Sequence, residues 1–356
     1  MSVEVTREQV LAYRILVGGL ARTGRPVLDL GVQDTPYGSA RLALAARGLS
    51  EDGLTMVWGA RGAPVLLPTE SLGRQAAALW PVSDADATTR IMNPRIKDGA
   101  RLGIEAFTVA ATAMREAVTA PMAKGEVSTV VSARIPESLT YDCEPCQARH
   151  ISGGLFQQIG LAAGVRVVPV GRSTTLEPLA DRPPVPERAA GTGDLLRTYL
   201  RQLGPATLGE AAKFLGTSQT ALRPVWPDDL VEVRVAGRRA WLPADAVDEL
   251  RAARTPEIVR LLPYGDPYMQ ARDRGLLVPD PAREKAVWKV LAAPGAVLAH
   301  GEIVGTWRAK LGRGGTLEVT VTPFEPLTAR TQEAIEAEAG LVAAARGTTE
   351  ARVAFA

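Results

Sequence analysis

Apolar positions recur at helical spacing in the front of the chain. Val10, Tyr13, Val17 and Leu20 fall on one face of a helix that Thr6 opens as a capping residue. After the Gly24-Arg25-Pro26 break, an extended or short helical run reaches a polar turn, Asp34-Thr35-Pro36-Tyr37-Gly38, before a second helix. Residues Leu54 to Pro68 predict two short strands around Arg61-Gly62-Ala63-Pro64, followed by a helix from Glu70 to Trp80. Helical spacing returns from Gly103 to Val118 and from Leu155 to Ala163, ahead of a strand-like Val165 to Val170. Pro178, Pro183, Pro184 and Pro186 prevent a regular element between Leu176 and Ala190, which reads as a linker or surface loop.

The centre of the chain is the most legible part. Gly193 to Leu203, Thr207 to Leu215 and Ser218 to Trp226 read as three short helices, and Leu230 to Val235 and Arg239 to Leu242 as a hairpin tipped by Ala236-Gly237-Arg238. That order is the layout of a winged helix-turn-helix, whose third helix and wing address a groove and the flanking phosphates. Farther on, Ala296 to Leu298, Glu302 to Ala309 and Thr316 to Val321 alternate as strands of a small antiparallel sheet or barrel, and Thr328 to Ala345 closes the chain as a helix. The expected organisation is therefore mainly α with a small β component (α+β). An N-terminal unit spans residues 1–102, a second helical unit and linker 103–190, a winged helix 191–254, and a β-barrel with its closing helix 255–356.

Composition narrows the class without naming it. The 356 residues are 46% hydrophobic and 22% charged, as in an ordinary globular chain, and no run of about 18 uncharged apolar residues exists to span a bilayer. The opening residues lack the apolar stretch of a secretion signal, so a cytoplasmic location is expected. A net charge of +2 is too small to imply nucleic-acid binding by itself. Two cysteines cannot form a disulfide framework. Cys143 and Cys146 with His150 give C-x2-C-x3-H, three of the four ligands of a structural zinc site. The competing readings are an inert thiol pair on a turn with His150 capping the next helix, and an oxidisable vicinal pair.

Several blocks resemble a known family. GVQDTPYGSARLALAAR, VWGARGAP, RLLPYGDPYMQARDR and VLAHGEIVGTWRAKLGRGGTLEVTVTPFEPL, together with the central module, are similar to the winged-helix family that contains the AlkZ-like and YcaQ-like alkylpurine DNA glycosylases. The resemblance implies tandem winged-helix units with a C-terminal barrel, double-stranded DNA as the partner, and hydrolysis of the bond joining an N-alkylated purine to its sugar. It implies no metal or organic cofactor, no membrane and no obligate protein partner; a monomer is expected. Active members carry Gln-x-Gln or Gln-x-Asp; Gln33 matches the first residue, whereas Thr35 stands at the second. Some relatives have a histidine where this chain has Val65. The catalytic candidates are thus Gln33, Thr35 and Asp34. A capped turn in which Asp34 and Thr35 bond nearby backbone is the competing account, and a non-catalytic DNA-binding or regulatory protein is the rival function.

Candidate DNA ligands follow from residue type. Ser218, Gln219 and Arg223 lie on the third helix of the winged module, which Pro224 cuts short; Arg238 and Arg239 load the wing, and Arg61 tips the earlier hairpin. Asp266, Arg272 and Arg274 are expected in a solvated charged loop, and Tyr264, Tyr268, Trp288 and Trp307 in the core.

Overall fold

The computed structural model describes residues 2–22, 28–171 and 173–356; the Gly24-Arg25-Pro26 break lies outside them. The chain forms two compact units. One comprises Met1–Asp52, Thr198–Thr207 and Asp228–Ala356, the other Gly53–Arg197 and Leu208–Pro227. No described helix is long and apolar enough to cross a membrane.

In the first unit, Thr6 opens the helix Arg7–Val17 through a reciprocal cap. Its hydroxyl accepts from the Gln9 amide at 3.1 Å, and the Gln9 side chain accepts from the Thr6 amide at 2.9 Å. Val10, Ala12 and Tyr13 of this helix pack with Val233, Val235, Leu242 and Leu250. The partner surface is a hairpin, Leu230–Val235 with Arg238–Pro243, on which Val3–Val5 adds a parallel strand. Ala236 and Gly237 both have positive φ, 48° and 80°, as a tight two-residue hairpin turn requires.

A five-stranded sheet completes this unit in the order Val259–Leu262, Gly295–Ala299, Glu302–Leu311, Leu317–Pro323, Ala351–Phe355. The first four strands are antiparallel, while the last runs parallel to Leu317–Pro323. The helix Ala329–Ala345 lies between those two strands in sequence, and a helical crossover returns the chain in its original direction. Its Ile335, Ala339 and Val342 pack with Leu261, Val297, Val319 and Val321 of the sheet. Among the described residues the two edge strands do not pair with each other, so the expected barrel is an open mixed sheet backed by a helix.

The second unit is built around the helix Ile104–Ala117, whose Phe107 and Met114 are completely enclosed, each burial contributing about 1.5–3 kcal/mol. Trp80 meets Phe107 edge to face with ring centroids 5.8 Å apart. Leu54–Trp58 pairs antiparallel with Pro64–Pro68 as expected, and Val65 faces the core beside Val57 and Leu67. Two expectations fail here. Leu176 to Pro178 is not loop but the end of Ser173–Pro178, paired with Val165–Val170; the first of the four prolines is tolerated because it is the last residue of the strand. His150 caps no helix: it lies within Ala148–Ile151, one arm of a hairpin with Thr140–Cys143, and Ser152 precedes the next helix.

Candidate active site

Gln33, Asp34 and Thr35 form the polar turn that leads into the helix Ser39–Ala45. Gly38 has a φ of 84°, a conformation L side chains resist, and this turns the chain into the helix. Asp34 is buried, and its Oδ1 accepts from the Ala40 amide at 2.9 Å, while the Ser39 hydroxyl donates to the Gln33 carbonyl at 3.2 Å. Burial pushes the Asp34 carboxyl above its usual range, opposed by hydrogen bonds from the Ala40 and Gly38 amides. Asp34 is thus drawn inward as a helix cap, whereas Thr35 is exposed and Gln33 half-buried. The capped-turn account holds for Asp34, and the two neutral side chains flank it.

What holds this turn comes from a distant part of the sequence. Gly265 lies directly against it: a β-carbon there would stand 2.9 Å from the Gln33 carbonyl oxygen, 3.0 Å from that of Thr35 and 3.2 Å from the Ser39 hydroxyl. The next residue, Asp266, is not in a solvated loop. It is fully buried and receives two hydrogen bonds from the Arg47 guanidinium, at 2.7 and 2.9 Å, with a third from the Tyr268 amide at 2.9 Å. Arg47 also donates to the carbonyls of Gly18 and Ala43, each at 2.7 Å. One buried ion pair therefore joins the helix behind the turn to the loop carrying Gly265. Residue types alone did not reveal this pair; the compact run Pro263-Tyr264-Gly265-Asp266-Pro267, with a glycine and an acid between prolines, was the available signal.

A cavity of about 500 Å³ opens beside the turn, lined among others by Tyr37, Arg41, Tyr264, Trp307, Arg308 and Arg346. Trp307 is anchored by its indole N–H, which donates to the Leu262 carbonyl at 2.8 Å. Tyr37 is 71% exposed at the rim. The cavity thus combines aromatic faces with guanidinium groups, a lining suited to a flat or anionic guest.

The expected DNA ligands are divided between the two units. Ser218 caps the helix Gln219–Leu222, accepting from the Ala221 amide at 3.2 Å. This helix is a single turn, because Arg223–Val225 tightens into a 3-10 segment at Pro224; Gln219 and Arg223 are both exposed. In the other unit, Arg239 is held by Glu232 at 2.6 Å and Arg238 meets Asp273 at 3.3 Å. Arg61 is turned inward: its guanidinium donates to the Phe214 carbonyl and lies 5.5 Å from the centre of the Phe214 ring. Tyr268, Trp288 and Trp307 are buried as expected; Tyr264 is half-buried, as is Arg272, which is also no solvated charge, and Arg274 lies over the Trp288 ring.

Cys143, Cys146 and His150 come together on the Thr140–Ile151 hairpin, with one ligand atom of each within 4.8 Å of the others.

Comparison with known proteins assigns the chain to a family. A curated relative, an interstrand DNA cross-link repair glycosylase of Streptomyces sahachiroi, is 32% identical over 175 residues, 46% of this chain and 44% of the relative's own length. The solved structure of the Streptomyces sahachiroi DNA glycosylase AlkZ superposes with a TM-score of 0.73 over 99% of this chain and all of that one, at 20% identity, so the fold is shared. The family described as DNA glycosylase AlkZ-like matches residues 35–345, and the chain belongs to that family.

Proposed function

We propose that this chain is a DNA repair glycosylase that hydrolyses the bond between an N-alkylated purine and its deoxyribose in duplex DNA, as a cytoplasmic monomer on a scaffold of tandem winged-helix units. Family membership and the similarity to a cross-link repair glycosylase support the reaction class. The observation that carries the site is the polar turn fixed by Gly265 and by the Arg47–Asp266 pair, with Thr35 exposed.

Alkylation at a purine ring nitrogen gives the base a positive charge, so it departs with the glycosidic electron pair as a neutral molecule. The sugar is left electron-poor at C1′, where a water oxygen bonds and then loses a proton to solvent. Such a leaving group needs no strong acid. The protein's task is to hold a water and favour developing positive charge. The Gln33 amide offers a donor and an acceptor, and the Thr35 hydroxyl a second such pair, enough to orient one water. Asp34 braces the turn through the Ala40 amide.

The test is release of free base from duplex containing N7-methylguanine, with an interstrand cross-linked duplex as a second substrate because the curated relative is a cross-link repair glycosylase. Release by the parent protein that Gln33→Ala lowers by about 100-fold supports the reading. Because Thr35 departs from the Gln-x-Gln and Gln-x-Asp patterns, the rival is a DNA-binding protein without catalysis. Salt-sensitive binding with no release from either substrate would favour that rival.

A further inference from the structure

We propose that Cys143, Cys146 and His150 hold a zinc ion at the tip of the Thr140–Ile151 hairpin. This site is separate from the polar turn and does not depend on the function assigned to it. Soft thiolate and borderline imidazole ligands in a C-x2-C-x3-H spacing select zinc over the hard cations that prefer oxygen. The ligand atoms lie within 4.8 Å of one another, against a separation of about 3.8 Å for sulfurs bound tetrahedrally at 2.3 Å. Closing that gap needs only rotamer changes and a small movement of the turn, which bends back at Gln147 with a φ of 50°.

The imidazole supplies a second, independent argument. Ser128 Oγ lies 3.4 Å from His150 Nδ1, while Nε2 is withdrawn from solvent and meets no hydrogen-bond partner among the described residues. A buried ring nitrogen without a partner is costly. A metal ion on Nε2 relieves that cost; a ligating histidine is usually oriented by a polar group on its other nitrogen, and here the Ser128 hydroxyl stands in that place. Cys146 is exposed, so an ion reaches the site from solvent.

The neighbouring acid is already engaged. Asp142 takes two hydrogen bonds from Arg149, at 3.0 and 3.1 Å, and neither it nor Glu144 joins the three ligand atoms, so the fourth position belongs to a water or another solvent ligand. Binding releases the two thiol protons to solvent, and the two thiolates neutralise the divalent charge. Among the described residues the two strands pair only with each other; the base is held by the buried Ile151 and its hydrogen bond to Ser132, while the turn between the strands is exposed. A metal crosslink is what fixes its tip.

The test uses the full chain, purified under reducing conditions and supplied with zinc alone. The expected result is one zinc per chain by elemental analysis, with Cys143 and Cys146 shielded from alkylation until a chelator is added, read by mass spectrometry. Cobalt substitution is expected to give thiolate-to-metal charge transfer and tetrahedral d–d bands. Both are lost in Cys143→Ser/Cys146→Ser, and the d–d bands shift in His150→Ala. Substoichiometric metal, equal alkylation with and without chelator, or conversion of the pair to a disulfide in the presence of zinc overturns the proposal. The alkylation measurement needs no variant and stands even where a variant fails to fold.

Discussion

The Asp266 carboxylate and the Arg47 guanidinium face each other through two short contacts, 2.7 and 2.9 Å, with both side chains at 2% exposure or less. Removing one partner strands the other charge in the interior. Asp266→Ala is therefore expected to cost about 3–5 kcal/mol of stability, seen as a lower denaturant midpoint. A loss below about 1 kcal/mol would show that the pair is dispensable.

The exposed Thr35 leaves room for a longer amide. Thr35→Gln places a second amide on the turn beside Gln33 and offers the water a donor and an acceptor at greater reach. Base release from N7-methylguanine duplex is expected to rise by roughly tenfold, in line with the value of one well-placed polar contact in a transition state. An unchanged rate, with the Gln33→Ala loss intact, removes Thr35 from the water site.

Asp34 gives a pH signature. Its carboxyl is held above the ordinary 3.8 by burial, so the folded chain binds that proton more tightly than the unfolded chain. The associated stability is fully present below the ordinary value and is lost as pH rises through the raised one. Asp34→Asn keeps an oxygen for the Ala40 amide without this dependence. The variant's stability relative to the parent should accordingly increase between about pH 3 and pH 7, followed by chemical denaturation across that range. A variant that loses ground as pH rises contradicts the assigned shift.

Arg223 and Arg61 separate binding from folding. Arg223 is exposed in the 3-10 segment that follows the short helix Gln219–Leu222, whereas the Arg61 guanidinium is engaged with Phe214. Arg223→Ala is expected to weaken DNA binding evenly across sequences and to reduce the slope of log K against log salt by about 0.9. Arg61→Ala should lower thermal stability and leave that slope in place. The opposite pattern would exchange their roles.

The readable parts of the sequence were those where local pattern and final environment agree. Thr6 with Gln9, the Leu54–Pro68 hairpin and the helix Ala329–Ala345 each announce themselves through a cap, a turn or a repeat within a few residues. The strands Val259–Leu262 and Ala351–Phe355 did not, because they are short and gain their partners from elsewhere in the chain. The same holds at the site. Gln33 and Thr35 stood out by residue type, but Asp266 looked like a surface acid until Arg47, 219 positions away, came to meet it. Arg61 erred in the other direction: a basic residue on a hairpin tip suggests phosphate, yet its left-handed backbone, φ 60°, returns the side chain to the protein.

Asp273 bonds a fully enclosed Arg14 through two contacts, 3.0 and 2.7 Å, and also meets the half-exposed Arg238 at 3.3 Å. An acid with two cationic neighbours can surrender the outer one without becoming an orphan. Of the two cations only the outer one reaches solvent, so an arriving anion meets Arg238 at the surface while the enclosed Arg14–Asp273 pair stays out of its reach.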